Sequence, residues 1–183
     1  MKIKKAKLAK SGCLEAVYID TDSNEVSIKG YNKCHDDLRQ AFERLVPFFA
    51  DLTEQKEADK INWEDIECEE NKEVLKNLSV SGLSIGGDDS NEIITMTGKR
   101  TLLTRRVLNL NAPGVEMDSE TFEWPYVSEF DVAVQGVLYE VEQYLFHKKW
   151  QVVQLELNFD GNPDDPFAEP QPTEEAVPVE EVA

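Results

Sequence analysis

Residues 78–111 read LSVSGLSIGGDDSNEIITMTGKRTLLTRRVLNLN, and they decide the fold. "LSVSGLSIGG" and "EIITMTGKR" are strand candidates, and "GGDDSN" between them has the Gly and Asp chemistry of a hairpin connection. A third strand is expected over residues 101–110, before the irregular stretch "APGVEMDSETFEWPY". Strands joined by turns this short pair antiparallel.

Toward the N-terminus the same grammar repeats. "KIKKAKLA", "CLEAVYID" and "EVSIKGY" read as a β-meander, with Val26 and Ile28 on one face. "DTDSNE" supplies a turn. Its Asp20, Asp22 and Asn24 alternate as in a calcium loop, but Glu25 stands where that loop needs Gly. Residues 35–58 predict one amphipathic helix with Leu38, Ala41, Phe42, Leu45, Phe49 and Leu52 on its stripe, kinked at Pro47. Residues 64–73 carry six acids against one Lys and predict a solvated connector, in which Trp63 is either a packing anchor or an exposed contact.

A last helix is expected from about residue 128 to 149, with Ser128 and Asp131 as a capping box, and "QVVQLELNF" then alternates as a final strand. The order is β-β-β-α-β-β-β-α-β. Runs of strands separated by single helices predict an α+β fold with a mainly antiparallel sheet and two helices. Whether that sheet curls into a barrel is left open. Residues 1–159 form the expected single domain, and residues 160–183 are too polar and proline-rich to pack.

The net charge is −18, and residues 160–183 hold eight of the acids and no base, which leaves −10 on residues 1–159. A broad basic face for duplex DNA is thereby excluded, as is attraction to an anionic membrane. No apolar run approaches the roughly 18 residues of a membrane span, and no apolar region follows the basic start, so a cytoplasmic protein is expected. Cys13, Cys34 and Cys68 form no C-x-x-C pair and are expected to be reduced thiols.

No catalytic, cofactor or metal pattern is present in the sequence. His35 and His147 are the only histidines, and both sit at expected helix ends. "SGLSIGG" matches neither phosphate-cradling glycine motif. Two basic clusters stand against the acidic background: Lys2, Lys4, Lys5 and Lys7, with Lys10 beyond them, and Lys99, Arg100, Arg105 and Arg106. On strands they would form a narrow cationic track, and Tyr18, Tyr31, Trp124 and Tyr126 are aromatics available to stack on bases. Such a groove binds single strands without sequence preference. The expectation is a non-catalytic single-stranded nucleic-acid-binding accessory protein. The alternative is an acidic interaction protein or DNA mimic that occupies the basic groove of a host protein. A homo-oligomer is compatible with either.

Two resemblances bear on this. "CHDDLRQAFERLVPF", "VSGLSIGG", "ITMTGKRTL" and "VLNLNAP" resemble segments of a small-protein family recurrent in bacteriophage and prophage genomes, which implies a phage origin and the host-cell cytoplasm. "DGNPDDPF" is similar to the acidic Pro-Phe tails of single-stranded DNA-binding proteins, which recruit replication and recombination or repair proteins and compete with DNA. That likeness implies a partner-binding role for Asp164, Asp165, Pro166 and Phe167, although sixteen residues follow Phe167 here.

Overall fold

Alternation of apolar and polar residues, broken by Gly and Asx turns, folds the first third of the chain into a meander. Its strands are β1 (Lys2–Leu8), β2 (Cys13–Ile19) and β3 (Glu25–Lys33). The first turn is closed by the Ala9 amide donating to the Cys13 carbonyl, with Gly12 at φ 80°. In the second, the Asp20 carboxylate accepts from the amides of Asp22 (2.9 Å) and Asn24 (2.8 Å), the Asx chemistry expected of "DTDSNE". The structure is a computed structural model and describes residues 2–88, 91–117 and 124–149.

The segment that opened the sequence analysis forms β4 (Leu78–Asp88), β5 (Asn91–Thr101) and β6 (Val107–Asn111), followed by the short β7 (Val115–Glu116). Every pairing is antiparallel, in the order β3-β2-β1-β4-β5-β6, with β7 also on β5. The α+β, antiparallel expectation holds. The sheet is open rather than a barrel, with β3 and β6 at its edges. One strand was expected over residues 101–110, but this stretch contains a tight hairpin. The Leu102 amide donates to the Arg106 carbonyl (2.8 Å) and Arg105 takes φ 62°, so β6 starts only at Val107.

Among the described residues four α-helices form where two were expected. Residues 35–58 divide into α1 (Asp36–Glu43) and α2 (Val46–Leu52), followed by a 3-10 turn at Ala58–Lys60. Pro47 is the reason. Its missing N–H falls in the first turn of α2, where no helical partner exists, so the chain starts a new helix there instead of kinking an old one. His35, at the helix start where it was expected, caps α1, its Nδ1 accepting from the Asp37 amide at 3.3 Å. The acidic connector contains α3 (Glu69–Leu75), whose buried Asn71 ties the preceding loop down through the Asn62 amide and the Asn62, Asp65 and Ile66 carbonyls. The last helix, α4 (Val127–Phe146), starts after Tyr126 with no side-chain cap. Ser128 therefore lies inside its first turn, and the expected capping box does not form. The final strand expected at residues 151–159 and the 159/160 domain boundary lie outside the described residues.

Residues paired across antiparallel strands share a face, and their chain neighbours take the other. The rung Ile28–Ala16–Ala6–Leu83–Met96 crosses five strands and faces the helices. Phe42, Phe48 and Phe49 from α1 and α2, and Phe130, Val134, Val137 and Val141 from α4, close over it, each fully buried. Each buried Phe stabilises by roughly 1.5–3 kcal/mol. Two glycines admit this layer. A Cβ on Gly98 would lie 2.6 Å from the Phe49 ring, and one on Gly30 would lie 2.6 Å from the Tyr144 hydroxyl, which donates to the Asn32 carbonyl at 3.0 Å.

Candidate nucleic-acid interface

The opposite face of the same strands is polar. One rung runs Lys29–Glu15–Lys7–Gly82–Thr97–Asn111 across all six strands. A second runs Ser27–Val17–Lys5–Ser84–Thr95, and a third Ser79–Lys99–Asn109. Among the described residues all the helices pack on the apolar side, in one core with Ala6, Leu83 and Met96. The outer face therefore presents hydroxyls, amides and four lysines, with Glu15 as the single carboxylate on these rungs. Glu15 is shared between Lys29 (3.4 Å) and Lys7 (3.9 Å). Among the described residues no carboxylate pairs with Lys5 or Lys99.

The seven strands carry eight Lys or Arg against five Asp or Glu, whereas α4 carries four carboxylates and no cation. The strands are thus net cationic while α4 is net anionic.

The residues expected to form a track distribute unevenly. Lys5, Lys7 and Lys99 share the outer face. Lys4 lies in the register shift between Ile3 and Lys5, and Lys2 is bound to Glu92 at 2.6 Å. Arg100 faces the other way. Its guanidinium enters the helix layer and donates to both Glu57 oxygens, at 2.9 and 2.7 Å, and to Gln55. That contact holds the Glu57 carboxyl below its ordinary range, with burial opposing it. Arg100 is a structural ion pair, because β-strand alternation separates it from its neighbour Lys99. Arg105 and Arg106 sit in the exposed hairpin beyond the rungs.

The aromatics do not form a stacking platform on the outer face. Tyr126 stacks on Trp63 at 3.6 Å, and Trp124 donates from Nε1 to Asp51 at 2.7 Å. Trp63 and Trp124 both meet Phe48, and Trp124 also meets Phe130, so Trp63 is a packing anchor. Tyr18 meets Phe146 edge-on on the helix side. Of the aromatics considered, Tyr31 alone is fully exposed, at the β3 edge. Asp164, Asp165, Pro166 and Phe167 lie outside the described residues.

Sequence reasoning missed Lys29 and the Ser, Thr and Asn ladder. The signal was there in the second positions of each strand, but only register shows that they align. A groove of about 530 Å³ also opens between α1, α3 and β4, over Phe42, Ile66, Leu75 and Leu78. Its cations are neutralised in place: Arg39 by Asp36, Arg44 by Glu67, Lys72 by Glu69 and Lys76 by Glu73. Cys13, Cys34 and Cys68 are free thiols, and burial, with Cys13 nearby, pushes the Cys34 thiol up to about 11. Among the described residues no helix is long and apolar enough to cross a membrane. No family model, no curated protein and no solved structure matches the chain.

Proposed function

We propose that this protein binds single-stranded nucleic acid without catalysis, laying the phosphate backbone across the outer face of its sheet. The observation that carries the reading is the alignment of Lys29, Lys7, Lys5 and Lys99 among Ser, Thr and Asn side chains, on three rungs that hold one carboxylate. With no aromatic on those rungs, binding rests on charge and neutral hydrogen-bond donors. It is therefore sequence-tolerant and strongly salt-dependent, with a log–log slope of about −2 to −3 for four lysines on a single strand. Residues 160–183, with eight acids and no base, oppose binding through their charge.

Fluorescence anisotropy with labelled oligo-dT tests this at low and moderate salt, on the full chain, a chain ending at Phe159, and a Lys5→Glu/Lys7→Glu variant. The shortened chain binds more tightly and the double variant at least tenfold more weakly. Equal affinity of all three, or no binding by any, rejects the proposal. A second reading, an acidic protein that engages a basic host protein, is supported by the four carboxylates and missing cations of α4. It predicts no oligo-dT affinity at any ionic strength.

A further inference from the structure

We infer that the β6 edge and the hairpin leading into it form a docking site for an extended acidic segment of another protein, which adds to the sheet as a strand beyond β6. The two sheet edges are built differently. β3 carries Glu25, Lys29 and Lys33 along its length, and its pairing with β2 shifts register between Cys13 and Glu15. Charges and bulges of this kind keep an edge from recruiting foreign strands. β6, VLNLN, has neither. Among the described residues no strand lies on its far side.

The apolar surface concentrates at the same place. Among the described residues, half of the eight exposed large hydrophobic side chains fall between positions 102 and 108. Leu103 is wholly exposed (102%), Val107 57% and Leu108 46%, with Leu102 beside them. A patch of this kind on an edge marks an interaction surface. Strand alternation sets what an added strand meets: Leu108 and Leu110 on the helix side, Val107 and Asn109 on the other.

Charge selects the partner. Arg105 and Arg106 project from the hairpin, and Lys99 lies opposite Asn109. Among the described residues no carboxylate pairs with any of the three, and β6 contributes none. In a chain of net charge −18 this edge is locally cationic. The matching segment has apolar side chains at alternate positions and carboxylates beside the hairpin. Main-chain hydrogen bonds would supply affinity, and the alternate pockets and arginines selectivity. The site borders the sheet face proposed above and shares Lys99 with it, but Lys5 and Lys7 lie on β1, three strands away.

The test is a titration of the full chain into a fluorescein-labelled ten-residue peptide in which valine alternates with glutamate. Two control peptides accompany it: one of the same sequence with N-methylated amides, and one alternating valine with lysine. The valine–glutamate peptide binds, and the controls bind at least tenfold more weakly. Leu108→Lys and Arg105→Glu/Arg106→Glu each weaken binding at least tenfold. Leu103→Glu does the same, at a wholly exposed position whose change leaves folding intact. Lys5→Glu/Lys7→Glu leaves peptide affinity unchanged while removing oligo-dT, so failure of the two proposals is distinguishable. Equal binding of the N-methylated or lysine peptide overturns the inference, as does indifference to Leu108→Lys. A peptide-free dimer abolished by Leu108→Lys assigns the edge to a second copy instead. Oligo-dT binding lost in Leu108→Lys assigns it to nucleic acid.

Discussion

The two faces of the sheet are made from the same seven strands and obey different rules. On the inner face the rung Ile28–Ala16–Ala6–Leu83–Met96 meets three phenylalanines from α1 and α2, and small residues are placed where a helix must come close. On the outer face, one residue along each strand, the rung Lys29–Glu15–Lys7–Gly82–Thr97–Asn111 meets no helix among those described. The inner face explains why the chain folds. The outer face contributes little to that, so its composition is free to serve binding.

The sharpest way to break this contrast is at Phe49, which is fully buried against Gly98. Phe49→Ala should cost about 3–5 kcal/mol, through lost burial plus a cavity that the sheet cannot collapse to fill. Urea denaturation measures it. A loss below about 1 kcal/mol would mean that the helices do not seal the inner face.

Adding atoms gives the next largest effect, and two glycines on adjacent strands set the faces side by side. A Cβ on Gly98 meets the Ser79 carbonyl at 2.4 Å and the Phe49 ring at 2.6 Å, both held in place. Gly98→Ala should cost about 1–3 kcal/mol. On Gly82 the closest atom is the Thr97 hydroxyl at 2.6 Å, which can rotate toward solvent, so Gly82→Ala should cost less. Thermal melts of the pair rank them. Equal losses would erase the distinction.

Smaller again is the Glu57–Arg100 pair, the charged contact on the inner side. Because Arg100 lowers the folded pKa of Glu57, the pair's contribution is complete above the ordinary glutamate value of about 4.3 and fades as pH falls through the lowered one. Glu57→Gln should cost about 1–2 kcal/mol at neutral pH. The gap to wild type should begin to close once pH falls below that ordinary glutamate value. A gap that stays constant with pH would show that the carboxylate's charge plays no part.

Much of this architecture can be read from the chain, and what cannot has physical causes. The buried stripe of α4, with Phe130, Val134, Val137 and Val141, repeats at helical spacing and is local information. So is the alternation that fixes the strands. The same alternation already separates Lys99 from Arg100, and a single track through both ignored it. Pro47 marks a boundary in sequence, but whether a proline kinks a helix or begins one depends on where the preceding turn closes. Trp63 and Tyr126 stack from segments sixty-three positions apart, and nothing local distinguishes a ring that packs from one that waits for a base. The lysine and hydroxyl rungs likewise exist only once six strands take one register.

The smallest expected effect tests the outer face directly. Thr95 lies on the rung Ser27–Val17–Lys5–Ser84–Thr95, half-buried by its neighbours and outside the apolar core. Valine has nearly the shape of threonine and at least its strand preference, so only the hydroxyl is removed. If that face is open to water, Thr95→Val should shift stability by no more than about 0.5 kcal/mol in either direction. The hydroxyl can still matter in a complex, as a neutral donor beside Lys5. The variant should then melt like wild type and bind oligo-dT more weakly, by a factor of two or so if one neutral hydrogen bond is lost. Stabilisation by more than about 1 kcal/mol would indicate a covered, apolar environment and place the outer face under the same rules as the inner one.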